Sequence, residues 1–215
     1  MLAELKMRRS NLVRLWDGRQ DLPNLKYMDL SESKNLKETP DFTGIPNLER
    51  LNLANCDGLV KIHPSIAVHK KLKWLILHQC KNVKCFPSKI EMDSLEFLNL
   101  SYCSKVKIPE FGEGMKNLSC LRIPGTATEE LPSSIEHLVG LTSLDLYDNK
   151  SLQSFPGTAI FKLKSLEYFN MDGENTGETK TLKPTRNIAG FGAWRIVWAG
   201  GGGPLLYEQD LGKPP

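Results

Sequence analysis

The sequence predicts an α/β solenoid of about eight repeats, 23–25 residues each, with a curved parallel β-sheet on its concave face and short 3₁₀ or extended returns on its convex face. Three columns carry this expectation. Leu2, Leu25, Leu48, Leu72, Leu95, Leu118, Leu141 and Leu166 recur at spacings of 23, 23, 24, 23, 23, 23 and 25 residues. Pro40, Pro64, Pro87, Pro109, Pro132 and Pro156 close the repeats that begin at Leu25 through Leu141. Ser10, Ser33, Cys56, Cys80, Cys103, Thr126 and Asn149 fill one further position with small, hydrogen-bonding side chains. In the unit LERLNLANCDGLVKIHP, Leu48 to Pro64, the columns spell L-x-x-L-x-L-x-x-C, the signature of a leucine-rich repeat.

Each part of the unit has a physical reason. Leu51 and Leu53 alternate around polar Asn52, the period of a half-buried strand. Cys56 stands where the chain leaves the strand, and residues of its column can hydrogen-bond the backbone there. The return from Cys56 to Leu72 is 16 residues long and contains Pro64. Proline lacks an amide donor and disfavours helix at the residue before it, so short 3₁₀ turns are expected, with Ile66, Ile90, Ile135 and Ile160 buried beneath them. At the start, Leu2 already occupies a core column, leaving no residues for the polar cap that solenoid ends need. At the other end the grammar fails at Glu174. The expected division is therefore a solenoid over 1–172 and a Gly/Pro-rich irregular tail over 173–215. Flanking glycines favour a disordered tail. The other reading is a short strand from Phe191 to Gly200 that places Trp194, Ile196 and Trp198 over the last repeat as an improvised cap.

Composition sets outer bounds. The chain has 215 residues, 40% of them hydrophobic, enough for one domain. A net charge of +3 selects no class of partner. No apolar run reaches 18 residues, so no membrane-spanning helix is expected, and MLAELKMRRS has no apolar core of a secretory signal. Cys56, Cys80 and Cys103 share one column and no C-x-x-C pair occurs. Reduced thiols in the cytoplasm or nucleus are expected, without disulfides or zinc.

Chemistry-bearing motifs are sparse. Gly173 to Thr181 lacks the glycine directly before the lysine of a P-loop. His63, His69, His78 and His137 are scattered, and neither H-E-x-x-H nor G-x-S-x-G occurs. The expectation is a chain that is not an enzyme, with no cofactor and no metal, whose partner is a protein and neither nucleic acid nor a membrane interior. The residues between the leucines of each strand point to the open face of the sheet. That face is expected to present Tyr27, Arg50, Trp74, His78, Phe97, Tyr102, Arg122 and Tyr147, with Lys6, Asp29, Ser101 and Asp145 among them. Trp74, Phe97 and Tyr102 fall on neighbouring strands about 4.8 Å apart. Grouped aromatics and arginines of this kind dominate protein-binding hot spots. Cover for adjacent leucines, or contact with another part of a longer chain, would use the same residues.

Several phrases are more specific than the leucine pattern. LVRLWDG (Leu12 to Gly18), LKYMDLSESKNLKETPDFTGIPNLERLNLANC (Leu25 to Cys56), KIHPSI (Lys61 to Ile66), GTATEELPSSIEHLVGLTSLDL (Gly125 to Leu146) and LKSLEYFNM (Leu163 to Met171) resemble plant intracellular disease-resistance proteins. The resemblance is to the repeat region of the class that joins a Toll/interleukin-1-receptor domain, a nucleotide-binding domain and leucine-rich repeats. It implies recognition of a pathogen effector or a guarded host protein, and autoinhibitory contact with the nucleotide-binding domain. Neither the Toll-type domain nor the P-loop of that class has a counterpart here, so no residue inherits nucleotide switching. An extracellular receptor ectodomain is the alternative, requiring a signal peptide, cysteine-paired caps and a Gly-x-Ile-Pro phrase in each repeat. A non-functional truncated resistance-gene fragment is the other.

Overall fold

The computed structural model describes residues 2–153, 156, 159, 162–171, 194–199 and 202–208. Its strands, in chain order, are β1 (Glu4–Lys6), β2 (Tyr27–Asp29), β3 (Arg50–Asn52), β4 (Trp74–Ile76), β5 (Lys89–Ile90), β6 (Phe97–Asn99), β7 (Glu110–Phe111), β8 (Cys120–Arg122), β9 (Ser143–Asp145), β10 (Tyr168–Asn170), β11 (Trp194–Ala199) and β12 (Gly202–Glu208). Eight of them form one parallel sheet in the order β1-β2-β3-β4-β6-β8-β9-β10. The fold is thus the parallel leucine-rich-repeat solenoid that the columns predict.

Register follows from the leucines. Leu51 pairs with Leu75, Leu75 with Leu98, Leu98 with Leu121 and Leu121 with Leu144. Each is the middle residue of a three-residue strand and is almost wholly buried. Slipping one strand by one residue would turn its leucine into water, so burial fixes the register. The stack is looser at its first turn. Leu5 and Met7 are only partly buried, and Leu2 is 47% exposed.

The returns carry 3₁₀ helices at Pro64–Val68 and Ser133–His137, opened by Pro64 and capped by Pro132 respectively. Ile66, Ile90 and Ile135 are fully buried. Ile160 lies outside the described residues. Among the described residues there is no α-helix. One element was not expected. β5 and β7 pair in parallel on the return side, Ile90 opposite Phe111. Two residues are too few for strand periodicity to show in the sequence.

The third column has a role between repeats. Ser33 Oγ donates to the Met7 carbonyl (3.2 Å), Cys56 Sγ to Leu30 (3.2 Å), Cys80 Sγ to Leu53 (3.0 Å), Cys103 Sγ to Leu77 (3.0 Å) and Asn149 Nδ2 to Ile123 (2.9 Å). Each repeat is thereby pinned to the one before it. Burial pushes the Cys56 thiol up to about 11 and Cys103 to about 12, and raises Cys80 further. All five cysteines are free; Cys85 is exposed and Cys120 half-buried. Only a thiolate reacts readily, so titration with a disulfide reagent should modify Cys85 first and Cys120 slowly. The three column thiols should react only on unfolding. Rapid modification of Cys56, Cys80 or Cys103 in the native protein would contradict this stacking.

Beyond the solenoid, β11 pairs antiparallel with β12, Trp194 opposite Glu208. The strand expected between Phe191 and Gly200 therefore has a hairpin partner that the sequence reading lacked. The side chains that would make a cap (Trp194, Ile196, Trp198), the disorder expected of 173–193 and 209–215, and Glu174 all lie outside what is described.

Candidate functional site

The open face of the sheet is built from the residues that flank each buried leucine. Arg50, Trp74 and Phe97 begin β3, β4 and β6 and stand opposite one another in register. The Trp74 and Phe97 rings stack with centroids 5.3 Å apart and an interplanar angle of 30°. The Arg50 guanidinium lies 5.1 Å from the Trp74 ring centroid. Arg122 ends β8, two residues beyond Cys120, the partner of Phe97. From there it reaches diagonally to 5.8 Å from the Phe97 centroid. The result is a continuous row, cation–ring–ring–cation, across four adjacent strands. Trp74 keeps 38% of its surface in water.

Two further groups flank the row. On one side, Tyr27 stands opposite Arg50, and Lys6 lies 5.3 Å above its ring. Tyr27, Arg50, Trp74 and Ile76 border a shallow groove of about 520 Å³. On the other side, His78 meets Tyr102 edge-on, with centroids 5.9 Å apart. Together with Arg122 and Tyr147 they border a second groove of about 480 Å³. Burial lowers the His78 pKa, favouring the neutral ring. Tyr102 has φ 59°, and its ring lies over Gly125, where a Cβ would come within 2.7 Å of Tyr102 Cδ1. Gly125 therefore leaves the space that Tyr102 fills.

All eight residues expected on this face are there, four in the row and the others around its two grooves. Two neighbours expected with them are not open to solvent. Asp29 is 5% exposed and Ser101 is 5% exposed. Asp29 is covered because its carboxylate turns back on its own strand, accepting the Tyr27 hydroxyl (3.0 Å) and the Ser31 amide (3.0 Å). Burial alone would raise its pKa, but these hydrogen bonds and Arg8 hold it below the ordinary carboxylate value. Lys6 and Asp145, which the same columns place on the open face, do lie beside these groups. Asp145 borders the second groove while accepting from the Tyr147 amide (3.1 Å) and Asn170 Nδ2 (3.3 Å). Among the described residues no cluster of His, Cys, Asp and Glu suits a metal, and no helix is long and apolar enough to cross a membrane.

A family model described as Leucine Rich Repeat matches residues 2–20. TMV resistance protein N of Nicotiana glutinosa is 40% identical over 174 residues, covering 80% of this chain and 15% of that protein. Disease resistance protein RML1A of Arabidopsis thaliana is 37% identical over 154 residues, covering 71% of this chain and 15% of that protein. The chain thus spans a small part of the length of the curated relatives it matches. Among solved structures, a leucine-rich-repeat protein of Leptospira interrogans matches at 20% identity and a TM-score of 0.35, covering 70% of this chain and 55% of that one. The chain is thus a leucine-rich-repeat solenoid similar to a part of plant disease-resistance proteins of the Toll/interleukin-1-receptor, nucleotide-binding, leucine-rich-repeat class.

Proposed function

We propose that this chain is the protein-recognition module of a plant innate immune receptor, acting by contact and not by catalysis in the cytoplasm or nucleus. Its partner is a pathogen effector, a guarded host protein or the nucleotide-binding domain of its own class, which the module would hold inactive. In this reading the recognition module is the solenoid over 1–172, and the Gly/Pro-rich tail over 173–215 takes no part in it. The observation that carries it is the row Arg50–Trp74–Phe97–Arg122, a large aromatic surface kept partly in water on rigid strands. Arginine and tryptophan are the residue types that carry most binding energy at protein interfaces.

The test uses a double variant, Trp74→Ala/Phe97→Ala. Both rings lie outside the leucine core, so stability should fall by only about 1–2 kcal/mol, from lost stacking and partial burial. Affinity for the nucleotide-binding domain of a relative of this class, measured by calorimetry, should fall by roughly 2 kcal/mol or more. Unchanged affinity in the double variant, or no binding by the native chain, would remove the support for autoinhibitory contact through this face.

A further inference from the structure

We propose that this face takes an extended acidic segment of its protein partner, laid across the strands with two carboxylates on Arg50 and Arg122 and an apolar side chain between them on the Trp74–Phe97 stack. The proposal rests on the protein-recognition reading above and names the chemistry of what is recognised.

The charge pattern is the first observation. Arg50 and Arg122 make no ion pair and no side-chain hydrogen bond among the described residues, although both are exposed. Carboxylates on neighbouring positions make other contacts. Glu49 pairs with Lys26 at 3.2 Å, Asp29 takes Tyr27 and Ser31, and Asp145 takes the Tyr147 amide and Asn170. Two guanidiniums without a carboxylate partner in hydrogen-bonding contact therefore stand at the two ends of one apolar platform. A guanidinium over a ring holds a defined orientation and keeps edge N–H groups free for a carboxylate, which it binds in a two-pronged geometry.

Spacing is the second. Arg50 and Arg122 are three strand steps and a two-residue offset apart, roughly 16 Å between backbones. An extended peptide rises about 3.3 Å per residue, so carboxylates four or five residues apart reach both. Between them the face offers Ile76, Asn99 and Cys120 beside the rings, with no cation. A nucleic-acid strand needs a continuous positive track beneath its phosphates. Two separated charges around an apolar centre fit a peptide instead.

The probe is a displayed library of random linear peptides, selected on the native chain. Recovered peptides are then titrated against native protein, Arg50→Gln, Arg122→Gln and Trp74→Ala/Phe97→Ala. Recovered sequences should carry Asp or Glu pairs four or five residues apart with an apolar residue between. Their affinity should drop about tenfold or more with either arginine variant, as expected for losing a charged hydrogen-bonding partner, and should weaken as salt rises. Peptides without paired acids, or peptides indifferent to both arginine variants yet lost with the aromatic one, would overturn the acidic-segment proposal and leave the recognition face standing. Recovery of no peptide, or binding that also ignores the aromatic variant, would overturn both.

Discussion

Leu98→Ala should lower the stability of the fold by roughly 2–5 kcal/mol, the range for deleting a fully buried leucine and leaving a cavity. Leu98 is the middle residue of β6 and has no exposed surface. It pairs with Leu75 on one side and Leu121 on the other. In a solenoid each repeat contacts only its two neighbours, so both contacts of this repeat weaken at once and no distant core compensates. Phe97, one residue earlier on the same strand, points the opposite way and stacks on Trp74. Urea unfolding of Leu98→Ala beside Trp74→Ala/Phe97→Ala measures that difference in facing. Equal losses from the two variants would mean that the rings, too, belong to the core.

Much of this was legible because the repeat shows each position several times. The leucines that became strand centres, the proline that opens a 3₁₀ return at Pro64, and the thiols that pin neighbouring repeats are all columns of like residues. The turn that leaves each strand was not. Arg9, Glu32, Asn55, Gln79, Tyr102, Gly125 and Asp148 all have φ between 54° and 62°, a region that only glycine enters without cost. They share no side-chain type, and only Gly125, with Asn55 and Asp148 less strongly, hints at the conformation. What fixes it is backbone pairing with the next repeat. The amide of Glu32 donates to Ala54, Asn55 to His78, Gln79 to Ser101 and Gly125 to Tyr147. Local preference is overridden by a hydrogen bond to a residue about 23 positions later, which no short window of sequence contains.

The candidate site was legible to the same depth. Columns gave the neighbours Trp74 and Phe97, because strand order follows chain order with one strand per repeat. They did not give the diagonal reach of Arg122 to Phe97, nor the burial of Asp29 under its own strand. Both depend on which rotamer a long or charged side chain takes among several partners, and residue type alone does not decide that.

Gly140→Ala should cost about 3 kcal/mol, at the upper end of what forcing an extra methyl into packed structure costs. Gly140 stands directly before the repeat leucine Leu141, in a column that holds Asn47 and Asn117 in two other repeats. Those asparagines donate to carbonyls of the preceding repeat, Asn47 to Pro23 (2.6 Å) and Asn117 to Asp93 (2.8 Å). At Gly140 the corresponding carbonyl, Lys116 O, lies only 2.1 Å from where a Cβ would sit. The obstacle is backbone and cannot rotate aside, so a methyl must separate the two repeats locally or twist the chain entering β9. Asn117→Ala is the control, since it removes one hydrogen bond from the same column and should cost about 0.5–1.5 kcal/mol. Thermal and urea unfolding of the two variants measures the contrast. If Gly140→Ala is no worse than Asn117→Ala, the repeats are not in backbone contact at this position, and the spacing between them is set by the leucines alone.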